Sequence, residues 1–234
     1  MGESSGTDAP GQSTRAMVVD TEHGPGRLHL YPAPAPEAVL LASHGAGGGV
    51  DARDLVALAS GLPDHGISVA LLEQPWRVAG RRIATAPTTL DSAFVTAAKR
   101  LGEVFPTHVP LVVAGRSAGA RSACRTAGVL RAAGCLAVSF PLHPPGKPER
   151  SRLEELTRTD CPTLVVQGAR DPMGRPEEFP QDRPGLDLAV IPGGDHGLKV
   201  PARGPLSQAE ATAMVVRAAR EWILREVVRG GDAG

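Results

Sequence analysis

Residues 110–119 read PLVVAGRSAG: an apolar, β-branched run, a Gly-Arg-Ser-Ala-Gly turn, and then an alanine-rich pattern at helical spacing. That order predicts a strand feeding a sharp turn into a helix, with Ser117 at the tip. A turn so tight strains the backbone of its central residue and brings neighbouring chain close. Gly115 and Gly119 remove the side chains that would collide there. The following helix aims its unpaired N–H groups and its dipole at any negative charge developing beside the hydroxyl. Ser117 is therefore the candidate nucleophile. The bare G-x-S-x-G pattern also fits an ordinary strand-loop-helix corner with a surface serine, so the rest of the chain carries the decision.

Five further apolar runs have the character of strands buried on both faces: residues 38–43 (AVLLAS), 67–72, 135–140, 163–167 and 188–191. Helical patterns lie between them. One follows Asp51, a plausible N-cap, with Leu55, Leu58, Ala59 and Leu62 on one face. A second places Leu90, Ala93, Phe94, Ala97, Leu101 and Val104 together, a third spans 118–133, and a short one surrounds 152–157. The last opens with a capping box, Ser207 and Glu210, and turns Ala211, Met214, Val215, Ala218 and Trp222 inward. Residues 16–20 and 27–31 flank an HGPG turn and read as an antiparallel hairpin, with His23 and His29 as strand-end residues. The proline-rich stretch 173–185 has room for a short helix at most. Strand and helix alternate, which predicts an α/β fold with a mostly parallel sheet covered on both faces.

With 234 residues the chain suits one domain, expected over 15–229, between a polar flexible tail at 1–14 and a short C-terminal tail at 230–234. Twenty-five Lys and Arg balance twenty-five Asp and Glu, so no nucleic-acid or acidic-lipid partner is expected. Cys124, Cys135 and Cys161 sit in or beside apolar runs and read as buried free thiols in a reducing compartment. No apolar leader or membrane-length run is present, and Gly6 stands where a myristoylation signal wants Ser or Thr. The expectation is a soluble cytoplasmic protein without a membrane partner. Its oligomeric state is left open.

Ligands of an open α/β sheet bind outside the carboxyl ends of the strands. Four polar clusters fall at such ends: HGAGG from His44, GRSAG around Ser117, GARDP at 168–172, and GGDHG at 193–197. A serine hydroxyl is a poor nucleophile until a base lies within hydrogen-bond reach and a third group orients that base. His196 is the expected base and Asp171 the expected acid, in the chain order this topology uses. Asp195 is the weaker rival, because a residue seldom orients its neighbour's ring and an Asp there more often closes a turn. Glu73 is a reserve candidate.

The N–H groups of Ala118 and Ala46 are the expected oxyanion donors. A flexible turn is the plainer reading of residues 45–49, and no Lys-Ser/Thr pair follows to make a phosphate loop. His44, Trp76, Arg116 and His143 are candidates to line the pocket, although His143 reads more simply as structural and Arg116 and Arg121 as solvated or paired charges. Arg77, Arg81 and Arg82 belong to an irregular loop over 73–87, which can select an anionic substrate if it folds over the mouth. No metal or organic cofactor is implied.

The set HGAGG, PWRVAGRR, GRSAG, FPLHPPGKPE, VVQGARDP and GGDHG, in this order, resembles a family of small α/β-hydrolase-like proteins. That family groups testis-expressed and KANSL-type chromatin-complex proteins with bacterial hydrolases of unassigned substrate. The likeness runs from about residue 38 to the final helix. LHPPGKPE is its most specific piece, while the other motifs are shared with the wider superfamily, dienelactone-hydrolase-like enzymes included. The resemblance implies an α/β-hydrolase core without a large lid, with Ser117 as nucleophile, Asp171 as acid and His196 as base. The chain departs from dienelactone hydrolases in having serine where they have cysteine. The expected activity is hydrolysis of a small-molecule ester or thioester through an acyl-enzyme. The alternatives are acyl transfer to another acceptor and a non-catalytic interaction module, since some relatives serve as subunits without catalysis.

Overall fold

The computed structural model describes residues 15–82 and 84–230. The expected tail at 1–14 and all but Gly230 of the one expected at 230–234 lie outside the described residues. β1 (Arg15–Thr21) and β2 (Gly24–Tyr31) form the hairpin; its turn is only Glu22 and His23, and Gly24, Pro25 and Gly26 of the expected HGPG turn open β2 instead. Gly24 takes a φ of 101°, which a side chain would resist, and the Thr21 hydroxyl closes the turn by donating to the Gly24 carbonyl at 2.6 Å.

β3 (Ala38–Ser43), β4 (Ile67–Glu73), β5 (Leu111–Arg116), β6 (Gly134–Val138), β7 (Thr163–Gly168) and β8 (Leu186–Ile191) all run parallel. The eight strands are ordered β1-β2-β4-β3-β5-β6-β7-β8, and β2 joins β4 antiparallel. After β4 the chain turns back past β3 to place β5. The order therefore reverses between β3 and β5, and in such sheets that reversal opens a crevice at the strands' carboxyl ends.

Alternation along each strand feeds two cores. Val39 and Leu41 face Phe94 and Ala120, contributed by α3 (Pro87–Gly102) and α4 (Ala118–Thr126). Leu40 and Ala42 face Leu55 and Trp222, contributed by α1 (Arg53–Gly61) and α6 (Gln208–Trp222). Both faces are apolar because both are covered, which is why these runs lack polar alternation. Each fully buried leucine of this kind stabilises the fold by about 1.5–3 kcal/mol.

The irregular loop holds one short turn of helix, α2 (Pro75–Val78), and α5 (Leu153–Thr157) is the short helix expected after β6. The capping box at Ser207 and Glu210 is present; Ala211, Val215, Ala219 and Trp222 are buried, and Met214 and Ala218 pack half-buried against the same core. Two other readings change. Asp51 does not cap α1: the cap position is Ala52, and the acid in the first turn is Asp54. The helix expected over 118–133 ends at Thr126, whose hydroxyl bonds back to the Ser122 carbonyl at 2.8 Å. The chain then turns through Arg131, at a φ of 49°, and enters β6 at Gly134. A Cβ on Gly134 would lie 2.8 Å from the Trp222 ring, so the first residue of the strand has no space for a side chain. The cysteines are free thiols, with Cys124 and Cys135 buried and Cys161 half-buried. Among the described residues no helix is long and apolar enough to cross a membrane.

Candidate active site

Ser117 joins β5 to α4 at φ 54° and ψ −112°, a conformation that costs a non-glycine residue of order 1–3 kcal/mol. Its N–H donates to the Val138 carbonyl at 2.9 Å, which ties the strained turn to β6. The two glycines are there for space. A Cβ on Gly115 would stand 2.2 Å from the Gly119 carbonyl carbon, and one on Gly119 would stand 2.2 Å from the Ser43 carbonyl oxygen. No side chain caps the start of α4, so the Ala118 amide is left unpaired among the described residues.

His196 sits in the loop after β8. Asp195 shapes that loop by accepting from the N–H groups of Gly197 and Lys199 at 2.8 and 2.9 Å, so it closes a turn and does not orient the imidazole. The Ser117 hydroxyl lies 2.9 Å from His196 Nε2, and His196 Nδ1 lies 2.8 Å from Asp171 Oδ2. Asp171 is fully buried, and its other oxygen accepts from the Met173 amide at 2.8 Å. A carboxylate facing Nδ1 holds the proton there and leaves Nε2 with a lone pair directed at the serine hydroxyl. Glu73, the reserve acid, pairs instead with Arg27 at 3.3 Å, on the hairpin side.

Gln167, which the sequence reading passed over, is fully buried beneath Asp171. Its amide nitrogen donates to Asp171 Oδ2 at 2.9 Å and to the Gly174 carbonyl at 2.8 Å. The visible signal was a lone polar side chain closing the apolar run TLVV.

A cavity of about 530 Å³ opens beside the turn, lined by Ala46, Gly47 and Ala118 together with Arg82, Arg121 and Arg125. The four residues expected to line it do not. His44 is buried, with Nδ1 donating to the Gly45 carbonyl at 2.9 Å and Nε2 accepting from the Gln74 amide at 3.1 Å. Those bonds need the neutral ring, and burial lowers its pKa to match. Trp76 packs its ring against His44 in an edge arrangement at 5.4 Å, so the pair braces the loop that carries Ala46. His143 is held by Glu178 at 2.9 Å and by the Pro144 carbonyl at 2.9 Å.

Arg116 turns away from the cavity to α1, where its Nε lies 3.0 Å from Asp54 Oδ2 as an ion pair without the alignment of a hydrogen bond. Burial raises the Asp54 pKa, and the Arg116 charge works against that rise. The same guanidinium donates to the His196 carbonyl at 3.4 Å and fills the space left by Gly45. A wider groove of about 870 Å³ along α1 and α6 includes none of the residues around Ser117. Among the described residues no His, Cys, Asp and Glu cluster in threes to hold a metal.

Residues 36–224 match the family model described as an alpha/beta hydrolase domain. Among solved structures the chain is similar to an α/β serine hydrolase without a lid from Xanthomonas campestris, at 19% identity and a TM-score of 0.68 over 93% of this chain and 98% of that one. It is also similar to a dienelactone hydrolase from Anabaena variabilis, at 20% identity and a TM-score of 0.69 over 92% and 99%. A third likeness is to the esterase domain of a Rhodothermus marinus protein, at 13% identity and a TM-score of 0.66 over 92% and 99%. At these identities the likenesses speak for the fold, an α/β-hydrolase sheet without a lid. By the match of its sequence over most of its length, and with a sheet of the corresponding order, the chain belongs to the alpha/beta hydrolase family.

Proposed function

We propose that this protein is a serine hydrolase that cleaves a small ester or thioester through an acyl-enzyme. The observation that carries the reading is the unbroken line of contacts from the Ser117 hydroxyl through His196 to Asp171, at 2.9 and 2.8 Å. In the first step His196 Nε2 takes the Ser117 proton as the oxygen attacks the substrate carbonyl carbon. The developing oxyanion is met by the N–H groups of Ala46 and Ala118, a term worth about 3–4 kcal/mol per donor. The tetrahedral species collapses, and the imidazolium gives its proton to the departing alcohol or thiol, leaving an acyl ester on Ser117. Water then attacks that ester with His196 again as base, and the acid departs as the Ser117 hydroxyl regains a proton. Asp171 stays ionised throughout and stabilises the imidazolium.

The connection from β6 to β7 contains only a short turn and α5, which leaves no cap over the cavity and favours short acyl groups. The LHPPGKPE segment supports a place among the testis-expressed and KANSL-type proteins and their bacterial counterparts. A fluorophosphonate probe read by intact mass tests the reading: one adduct on Ser117, lost in Ser117→Ala and His196→Ala, is expected. Turnover of activated short esters should fall on the order of a millionfold in either variant. A folded protein that stays unlabelled would favour the non-catalytic module.

A further inference from the structure

The cavity beside Ser117 combines two kinds of lining. Ala46 and Ala118 bring backbone N–H groups, Arg82, Arg121 and Arg125 bring guanidinium groups, and no acidic residue is among those that line it. We propose that this cavity takes a substrate bearing a carboxylate or phosphate on the part that reaches those guanidinium groups, a specificity that rests on the hydrolase reading only for the reaction that follows binding.

The cationic lining is built and held. Arg125 forks onto Asp91 with two bonds of 2.7 Å and reaches Glu155 at 3.0 Å. Arg121 meets the same Glu155 through Nε and Nη2 at 2.8 and 2.5 Å. Burial opposes the charge on Glu155, but Arg121 and Arg125 outweigh it and hold the carboxyl below its usual range. Behind them Arg152 lies close enough for Arg121 to lower its affinity for a proton, after the larger effect of burial. Arg121 and Arg125 thus share the two carboxylates of Asp91 and Glu155, and the positive charge of Arg82 is left over at the cavity. Such an excess in a partly desolvated cleft attracts an anion far more strongly than the same charges scattered in water.

Free donors point the same way. Arg121 keeps Nη1 unengaged, and Arg82 makes no ion pair or hydrogen bond among the described residues. The first turn of α3, whose Pro87 lines the cavity, contains no acidic residue, and Ala86 offers no side-chain cap, so the positive end of that helix dipole is uncompensated. The Thr85 hydroxyl, which also lines the cavity, is buried without a partner among the described residues. Arg77 and Arg81 do not line the cavity. Arg77 lies against Gly49, at the far end of the loop that carries Ala46.

Two ester pairs test the proposal: mono-p-nitrophenyl glutarate against p-nitrophenyl pentanoate, and 4-carboxyphenyl acetate against phenyl acetate. A charged hydrogen bond of this kind should favour the anionic member of at least one pair by about 10- to 100-fold in kcat/KM. The preference should shrink towards unity in Arg82→Gln and weaken as salt is added. Benzoate and phenyl phosphate as separate competitors distinguish the carboxylate from the phosphate. Calorimetric binding of the same esters to Ser117→Ala reads the charge preference without turnover. Preferential binding with no reaction at Ser117 would uphold the anion site and remove the hydrolase reading. Hydrolysis with equal efficiency in both pairs, or a preference that survives Arg82→Gln, would overturn the anion site and leave the hydrolase reading in place.

Discussion

The guanidinium of Arg116 and the buried carboxylate of Asp54, 3.0 Å apart, tie the segment that bears Ser117 to the first turn of α1. Arg116 also touches the His196 carbonyl, so a single side chain joins the nucleophile turn, the base loop and a helix on the far core. Arg116→Met strands a buried charge and should destabilise the fold by about 3–5 kcal/mol in urea unfolding. Asp54→Leu should cost less, because Arg116 is partly exposed and can turn to water. The double variant should be more stable than Arg116→Met alone; a double variant that merely adds the two losses would show that the pair is not coupled.

Ser117 is held in a backbone conformation that favours glycine, so the site itself carries strain. Ser117→Gly should be more stable than Ser117→Ala by about 1 kcal/mol, with both inactive towards esters. Chemical unfolding of the two variants under one set of conditions reads the difference, and an equal or lower stability of the glycine form would contradict the strain.

Gln167 reaches the reacting groups only through Asp171, which makes it a positioning residue. Gln167→Met keeps the volume but removes the bond that fixes the carboxylate. The expected result is a fall in kcat of about 10- to 100-fold, in the range seen when the supports of functional side chains are removed, with KM little changed. Gln167→Glu should not rescue it, since a second carboxylate beside Asp171 repels the first. A change confined to KM would assign Gln167 to packing alone.

His143 has an acceptor at each ring nitrogen, the Pro144 carbonyl and Glu178, and so is built for the imidazolium. Its pKa is raised, first by the Pro144 carbonyl and then by Glu178. The pKa of Glu178 is lowered, first by the Arg175 N–H and then by His143. The stability from a raised histidine is complete below its ordinary value of 6.5 and is lost as pH rises through the folded value. That from a depressed glutamate is present above its ordinary 4.5 and is lost as pH falls through the folded value. The Tm difference between the wild type and His143→Gln should therefore be largest between those two values and shrink on both sides. A difference that does not shrink on either side of that range would mean the ring is held neutral.

Much of this protein is written locally. Apolar runs such as AVLLAS and LVVAG can only be strands covered on both faces, and Gly115, Ser117 and Gly119 specify a crowded turn by steric exclusion within ten residues. The capping box at Ser207 is equally local, since its two bonds close within one turn of helix. What needed the tertiary structure depends on the sheet order. Glu73 ends one buried strand and Asp171 follows another, and only the placement of β7 beside β8 and of β4 beside the hairpin decides which carboxylate meets His196. The same holds for Gln167, for the Arg116–Asp54 pair, and for the choice of Arg82 with Arg121 and Arg125 over Arg77 and Arg81. Periodicity and steric fit act over a few residues and survive in the sequence, whereas ion pairs and shared cavities join residues tens of positions apart, and only the folded chain brings them within reach.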